Sequence, residues 1–113
     1  MIGAYKTRCA VCELRIRNLL DGAHILPDNH PNSEPKVSNG LSLCALHHRA
    51  FDRKIMDITP DYVVKVGEVR IADADQAAVR NIRDFDGKPI WIPTDDRLKP
   101  DRELLRTRLE LAS

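Results

Sequence analysis

The sequence predicts an α+β fold in a single domain, and three observations carry the prediction. A chain of 113 residues fits one compact core and leaves little for a second. Its first half reads as strand, long polar loop, strand, helix. All three cysteines and one of the four histidines fall into two knuckles of identical spacing, one ahead of the first strand and one at the start of the helix.

Residues 1–8 are weakly patterned, and Tyr5 reads as a ring packing under the segment that follows. Asp21 to Leu26 (DGAHIL) is a short strand. Pro27 to Ser38 is a loop by composition, with Pro27, Pro31 and Pro35 set among Asp28, Asn29, Asn32 and Ser33, which excludes a two-residue hairpin. Asn39-Gly40 closes the loop, Leu41 to Leu43 returns as the second strand, and Ala45 to Lys54 has the composition of a helix without Gly or Pro. Ile55 to Thr59 and Tyr62 to Val66 alternate about Pro60-Asp61 as a further hairpin. Ala72 to Arg83 has a weak helical pattern, Asp86-Gly87 marks a turn before the apolar run Pro89 to Ile92, and Pro100-Asp101 opens a final helix with Leu105, Leu109 and Ala112 on one face. These later elements read as packing support for a core at about 5–57, with an extension over about 58–113. No repeat or linker divides the chain.

Composition narrows the class. Apolar residues make up 42% and charged residues 31%, as in ordinary soluble proteins. With two Phe, two Tyr and one Trp, few large rings fill the core, and a small domain of this kind often needs a metal to hold its loops. An odd cysteine count and the lack of a basic-then-apolar leader argue against a disulfide framework and for a reducing compartment, so a cytoplasmic location is expected. No apolar run is long enough to span a bilayer. The net charge of +1 excludes a uniformly basic nucleic-acid coat but says nothing about one face.

Cys9-Ala-Val-Cys12 sets two thiols on one knuckle, and Cys44-Ala-Leu-His47 sets a thiol and an imidazole at the same spacing. Together they form a Cys3His set of the kind that holds structural Zn2+ in a tetrahedron. Buried free thiols or a redox pair Cys9/Cys12 are the alternatives; two knuckles that use every cysteine favour zinc. Beyond that set stand His24 in the first strand, Asn39 at the end of the loop, and His48 with Asp52 on the helix. His48 and Asp52 are four positions apart, so both project from one helical face and can share a cation. An exposed pair of this kind also occurs as a simple solvated ion pair.

In order and spacing these residues resemble the HNH endonucleases of the ββα-metal fold. The match is carried by His24 in LLDGAHILPD, Asn39 in SNGLSLC and His48 in CALHHRAFD, with the zinc knuckles outside the motif, and it spans at least Tyr5 to Asp57. The tail from Asp86 to Leu111 is similar to the end of the subgroup found in bacterial restriction endonucleases. The resemblance implies a ββα-metal core with a zinc knuckle and a C-terminal hairpin and helix extension. It implies divalent-metal-dependent hydrolysis of DNA phosphodiester bonds, as the nuclease part of a restriction-type system. In that scheme His24 is the general base, Asn39 fixes the hairpin around it, and His48 with Asp52 holds the catalytic metal. This cation is Mg2+ or Mn2+, with Ni2+ or Zn2+ also compatible with mixed nitrogen and oxygen ligands. Arg49, Arg53 and Lys54 flank this face and suit the DNA backbone, although solvation of the helix accounts for them equally. One departure stands out: many relatives carry Asp or His just before the base histidine as a further metal ligand, where this chain has Ala23. Asp21, two residues earlier on the same strand face, is the candidate substitute. The alternative reading is a catalytically inactive, zinc-stapled DNA-binding module. No base-reading element is evident, so a separate recognition domain or protein is expected to supply specificity, and a homodimer is expected if both strands are cut.

Overall fold

Leu20, Ala23, Leu41 and Leu43 are buried side chains of two short strands, and their burial draws the strands together into the hairpin at the centre of the molecule. The computed structural model describes residues 2–26, 37–67 and 76–111. Strand β1 (Leu20–His24) pairs antiparallel with β2 (Gly40–Cys44), in a register that sets Leu20 opposite Cys44 and His24 opposite Gly40. Helix α1 (Ala45–Asp52) follows β2 directly. It buries His47, Ala50 and Phe51 against the hairpin, the i, i+3, i+4 stripe of a helix with one inward face. The expected strand, strand, helix order is therefore present, with β1 one residue earlier than its sequence pattern indicated and α1 two residues shorter. The expected loop at Pro27 to Ser38 lies outside the described residues except for its end, where Val37–Asn39 forms a single 3-10 turn.

The hairpin's second edge is covered by the N-terminal segment. The Ala10 N–H donates to the Ser42 carbonyl at 2.8 Å, the Ser42 hydroxyl donates to the Arg8 carbonyl at 2.7 Å, and the Trp91 N–H donates to the Ala10 carbonyl at 2.8 Å. Tyr5 is fully buried beneath this segment, as its position in the sequence suggested, and its ring meets Trp91 at a centroid distance of 5.9 Å.

Strands β3 (Met56–Ile58) and β4 (Val64–Val66) form the second hairpin. The turn signal Asp86-Gly87 is real: Gly87 has φ +80°, a conformation that disfavours any side chain, and its N–H donates to the Val64 carbonyl. The apolar run after it makes one bridge, Pro89 to Val63, rather than a full strand. Helix α2 is described over Gln76–Arg83, and the first residues of its sequence pattern, 72–75, lie outside the described residues. Helix α3 (Arg102–Leu111) starts where Pro100-Asp101 indicated. The Asp101 carboxylate accepts the N–H groups of Glu103 and Leu104, an N-cap by a short acidic side chain. Its inward face departs from expectation: Leu105 is buried, Leu109 half-buried and Ala112 undescribed, while the second buried residue is Arg108. Among the described residues no helix is long and apolar enough to cross a membrane.

Candidate active site and metal cluster

Two groups of polar side chains meet at α1, one at each side of its first turns. The first is Cys9, Cys12, Cys44 and His47, whose ligand atoms all lie within 4.8 Å of one another. Cys44 is the N-cap of α1 and His47 its third residue, so helix geometry alone brings this thiol and imidazole together, with Sγ to Nδ1 at 3.2 Å. Cys9 Sγ lies 3.7 Å from the same nitrogen, and Cys12 Sγ lies 3.9 Å from Cys44 Sγ. Tetrahedral zinc with Zn–S near 2.3 Å and Zn–N near 2.0–2.1 Å requires edges of roughly 3.5–3.8 Å, and the cluster is close to that shape. The knuckle holds its form through its backbone: the Cys9 N–H donates to Leu14 and the Glu13 N–H to Cys9, with Glu13 at φ 61° making the reversal.

The second ring nitrogen of His47 is committed elsewhere. Nε2 donates to the Asn81 carbonyl on α2 at 2.6 Å, which leaves Nδ1 to turn its lone pair on the thiols. Such an outer partner fixes the tautomer a metal ligand needs. The Phe85 ring stands edge-on to the imidazole at 5.4 Å. In the protein without metal the thiols differ. Hydrogen bonding from Cys44 holds Cys9 below the ordinary thiol range, burial raises Cys12, and donation to Cys9 pushes Cys44 up to about 11. Three mutually crowded sulfurs cannot all shed protons without a cation among them, and zinc is the cation this donor set fits.

The second group lies about 100° further round α1. His48 stands between two carboxylates: Nδ1 is 2.9 Å from Asp21 Oδ2 on β1, and Nε2 is 3.1 Å from Asp52 Oδ2 one helical turn on. The i,i+4 pairing of His48 with Asp52 is thus present, and Asp21 reaches the same imidazole from the opposite nitrogen. A nitrogen and an oxygen 3.1 Å apart fit neighbouring positions on an octahedral cation with bonds near 2.1 Å. Among the described residues, the one group of three or more metal-type side chains close enough to share an ion is the Cys3His cluster. Ala23, at the usual further ligand position, is fully buried.

An open groove of about 590 Å³ runs past this group, lined by His24, His48, Asp52, Lys54 and Arg108 among others. His24 ends β1 with its side chain exposed. Asn39 is buried and grips the two residues that follow His24. Its carbonyl accepts the Ile25 N–H at 3.0 Å, and its side-chain oxygen accepts the Leu26 N–H at 3.1 Å. Arg49, Arg53 and Lys54 are exposed along and just beyond α1, and of the three Lys54 lines the groove. Sequence reasoning missed two contributors, the Asn81 carbonyl and the Arg108 side chain. A main-chain acceptor leaves no mark in a sequence, and an arginine three positions after Leu105 reads as a solvated residue.

Comparison with known proteins follows the same outline. The HNH_2 family, described as HNH endonuclease, matches residues 9–58. A solved structure described as "Modification dependent TagI restriction endonuclease" superposes with a TM-score of 0.62 at 25% identity over 97% of this chain. The chain spans 35% of the length of that protein. A search of curated proteins returns no match. With its two-strand hairpin, following helix and Cys3His cluster in this arrangement, the segment from Cys9 to Ile58 matches the HNH endonuclease domain in both sequence and fold.

Proposed function

We propose that this domain is a divalent-metal-dependent endonuclease that hydrolyses DNA phosphodiester bonds, as the nuclease part of a restriction-type system. The observation that supports the reading is the groove that the exposed His24 lines together with the His48 and Asp52 pair. His24 takes the proton from a water whose oxygen attacks phosphorus, and the bond from phosphorus to the leaving oxygen breaks as the new one forms. Asn39 holds the strand end so that His24 stays aimed into the groove. His48 Nε2 and an Asp52 oxygen hold the cation, Mg2+ or Mn2+ by ligand chemistry. When bound there, the cation neutralises charge on the phosphate and stabilises the departing oxygen. Asp21, on Nδ1, orients the imidazole so that Nε2 is turned toward the cation. Arg49, Arg53 and Lys54 neutralise flanking phosphates. The Cys3His cluster holds a structural zinc that anchors the start of α1. Base recognition comes from a separate domain or protein, and cutting both strands calls for a second copy.

A zinc-stapled module that binds DNA without cutting it is the second reading, and Ala23 favours it by removing a ligand from the usual position. Supercoiled plasmid incubated with a panel of divalent metals, and with chelator, separates the two. Conversion to open-circular or linear DNA, lost in His24→Ala with binding retained, is the expected result. Binding without cleavage under every metal supports the inactive module, and full activity in His24→Ala removes His24 as base.

A further inference from the structure

Arg108 is a charged side chain that the scheme above leaves without a role. Only 5% of its surface is exposed, a depth that arginine occupies when its donors are matched. Its three nitrogens go to three separate elements. Nε donates to Asp57 Oδ1 on β3 at 3.1 Å, Nη1 to the Ile25 carbonyl just past β1 at 3.1 Å, and Nη2 to the Phe51 carbonyl near the end of α1. The guanidinium carbon lies over the Phe51 ring, 3.6 Å from the centroid. Two of these acceptors are peptide neighbours of groove residues: Ile25 follows His24, and Phe51 precedes Asp52. Arg108 itself lines the groove, although it lies far beyond the residues matched by the family.

We propose that Arg108 is a positioning residue for the nuclease reaction, fixing the separation between His24 at the end of β1 and the His48 and Asp52 pair on α1. The proposal rests on the roles given to those three residues above. The two elements that carry them are also joined by the β2 connection and apolar packing, which tolerate sliding, and by the Asp21–His48 contact, a part-exposed side-chain pair that restrains them weakly. A planar fork with donors in fixed directions does not. The ion pair with Asp57 would by itself tie α3 to β3, and a well-packed apolar pair could do that as well. The two carbonyl bonds are what lead to the groove. Lysine cannot replace them, since one ammonium on a flexible stem lacks the spread of the guanidinium nitrogens.

The test uses the full chain with Arg108→Met and Arg108→Lys. Melting temperature, zinc content, plasmid cleavage with Mn2+ and the 15N signals of the imidazole rings are read on each. The expected outcome is a folded, zinc-loaded Arg108→Met protein whose KM for DNA stays within about twofold and whose kcat falls roughly ten- to a hundredfold, the scale of a displacement near 1 Å. Arg108→Lys should recover part of that loss. The His24 and His48 ring signals should move while that of His47 stays in place. An unchanged kcat in folded protein overturns the proposal, and so does a raised KM at constant kcat, which would make Arg108 a DNA contact. If Arg108→Met does not fold, Arg108→Lys carries the same readings. If the wild type fails to cleave DNA, the functional reading falls, whereas the ring signals of metal-free protein still decide positioning: shifted His24 supports it, unmoved His24 ends it.

Discussion

His47 and His48 are adjacent in the chain and belong to different centres, so their alanine variants should fail in opposite ways. His47 is buried, and its loss removes the zinc ligand Nδ1, the donor to the Asn81 carbonyl and the edge contact with Phe85. An acceptor left without its donor costs about 1–3 kcal/mol, and the ring contact adds about 0.5–1.5 kcal/mol. Together they amount to roughly 2–4 kcal/mol before the metal is counted, against a total of about 5–15 kcal/mol for a domain. At about 4 °C or more per kcal/mol for a chain of this size, His47→Ala should melt about 8–16 °C lower even before the loss of zinc is counted. It should also lose or loosen its zinc. His48 is 27% exposed and pairs with two half-exposed carboxylates. Surface pairs of this kind contribute about 0.2–1 kcal/mol each, so His48→Ala should melt within about 8 °C of wild type. Its zinc should stay at one per chain, while cleavage falls by at least about tenfold for want of the nitrogen ligand. Elemental analysis, calorimetry and plasmid cleavage on the two variants decide the matter. Zinc lost from His48→Ala and kept by His47→Ala would refute the division of labour and the helix register behind it.

Two further outcomes are expected. Zinc must displace thiol protons, and Cys12 and Cys44 are both raised above the ordinary thiol value, Cys44 to about 11. Both therefore lie protonated near neutrality in the metal-free state, and apparent zinc affinity should fall at least about a hundredfold for each pH unit lost, since these two thiols alone release two protons at tenfold each. The stabilisation supplied by zinc is lost as pH falls, and competition with a chromophoric chelator between pH 8 and 6 measures the slope; a flat profile would exclude thiolate ligation. Asn39→Ala leaves the buried Leu26 N–H without its acceptor and should destabilise the fold by about 1–3 kcal/mol in urea. Cleavage in the folded protein should slow at the same time, and unchanged kcat would confine Asn39 to stability.

The parts legible in the sequence were those with a local rule behind them. Cys44 and His47 meet because three positions on a helix bring two side chains together, and His48 meets Asp52 for the same reason at four. The hairpin could be read from the strand pattern at Asp21 to Leu26 and its return at Leu41 to Leu43, and the start of α3 from Pro100-Asp101. What stayed hidden depends on long-range docking. Asp21 proved to touch His48 from the nitrogen opposite Asp52, which strand parity alone could not fix. The extension read as packing support, yet α2 presents the Asn81 carbonyl to His47 and α3 sends Arg108 to three elements. No periodicity marks a main-chain acceptor, and a buried arginine is recognised only once Asp57, Ile25 and Phe51 are seen around it.

The cover over β2 has a consequence for how the protein behaves when its metal is stripped. Strands at the border of a sheet offer open peptide groups to any other chain that can align with them. Here the Ser42 rung is taken by Ala10, and Ala10 in turn is capped by Trp91. Ala10 sits inside the Cys9 to Cys12 knuckle, so an ion held by the Cys3His cluster would also keep that cover in place. Chelation would then uncover a strand border together with the apolar residues beside it. Loss of zinc in concentrated solution would accordingly lead toward self-association through added strands, and the metal would act as a guard on solubility as well as a staple of the fold.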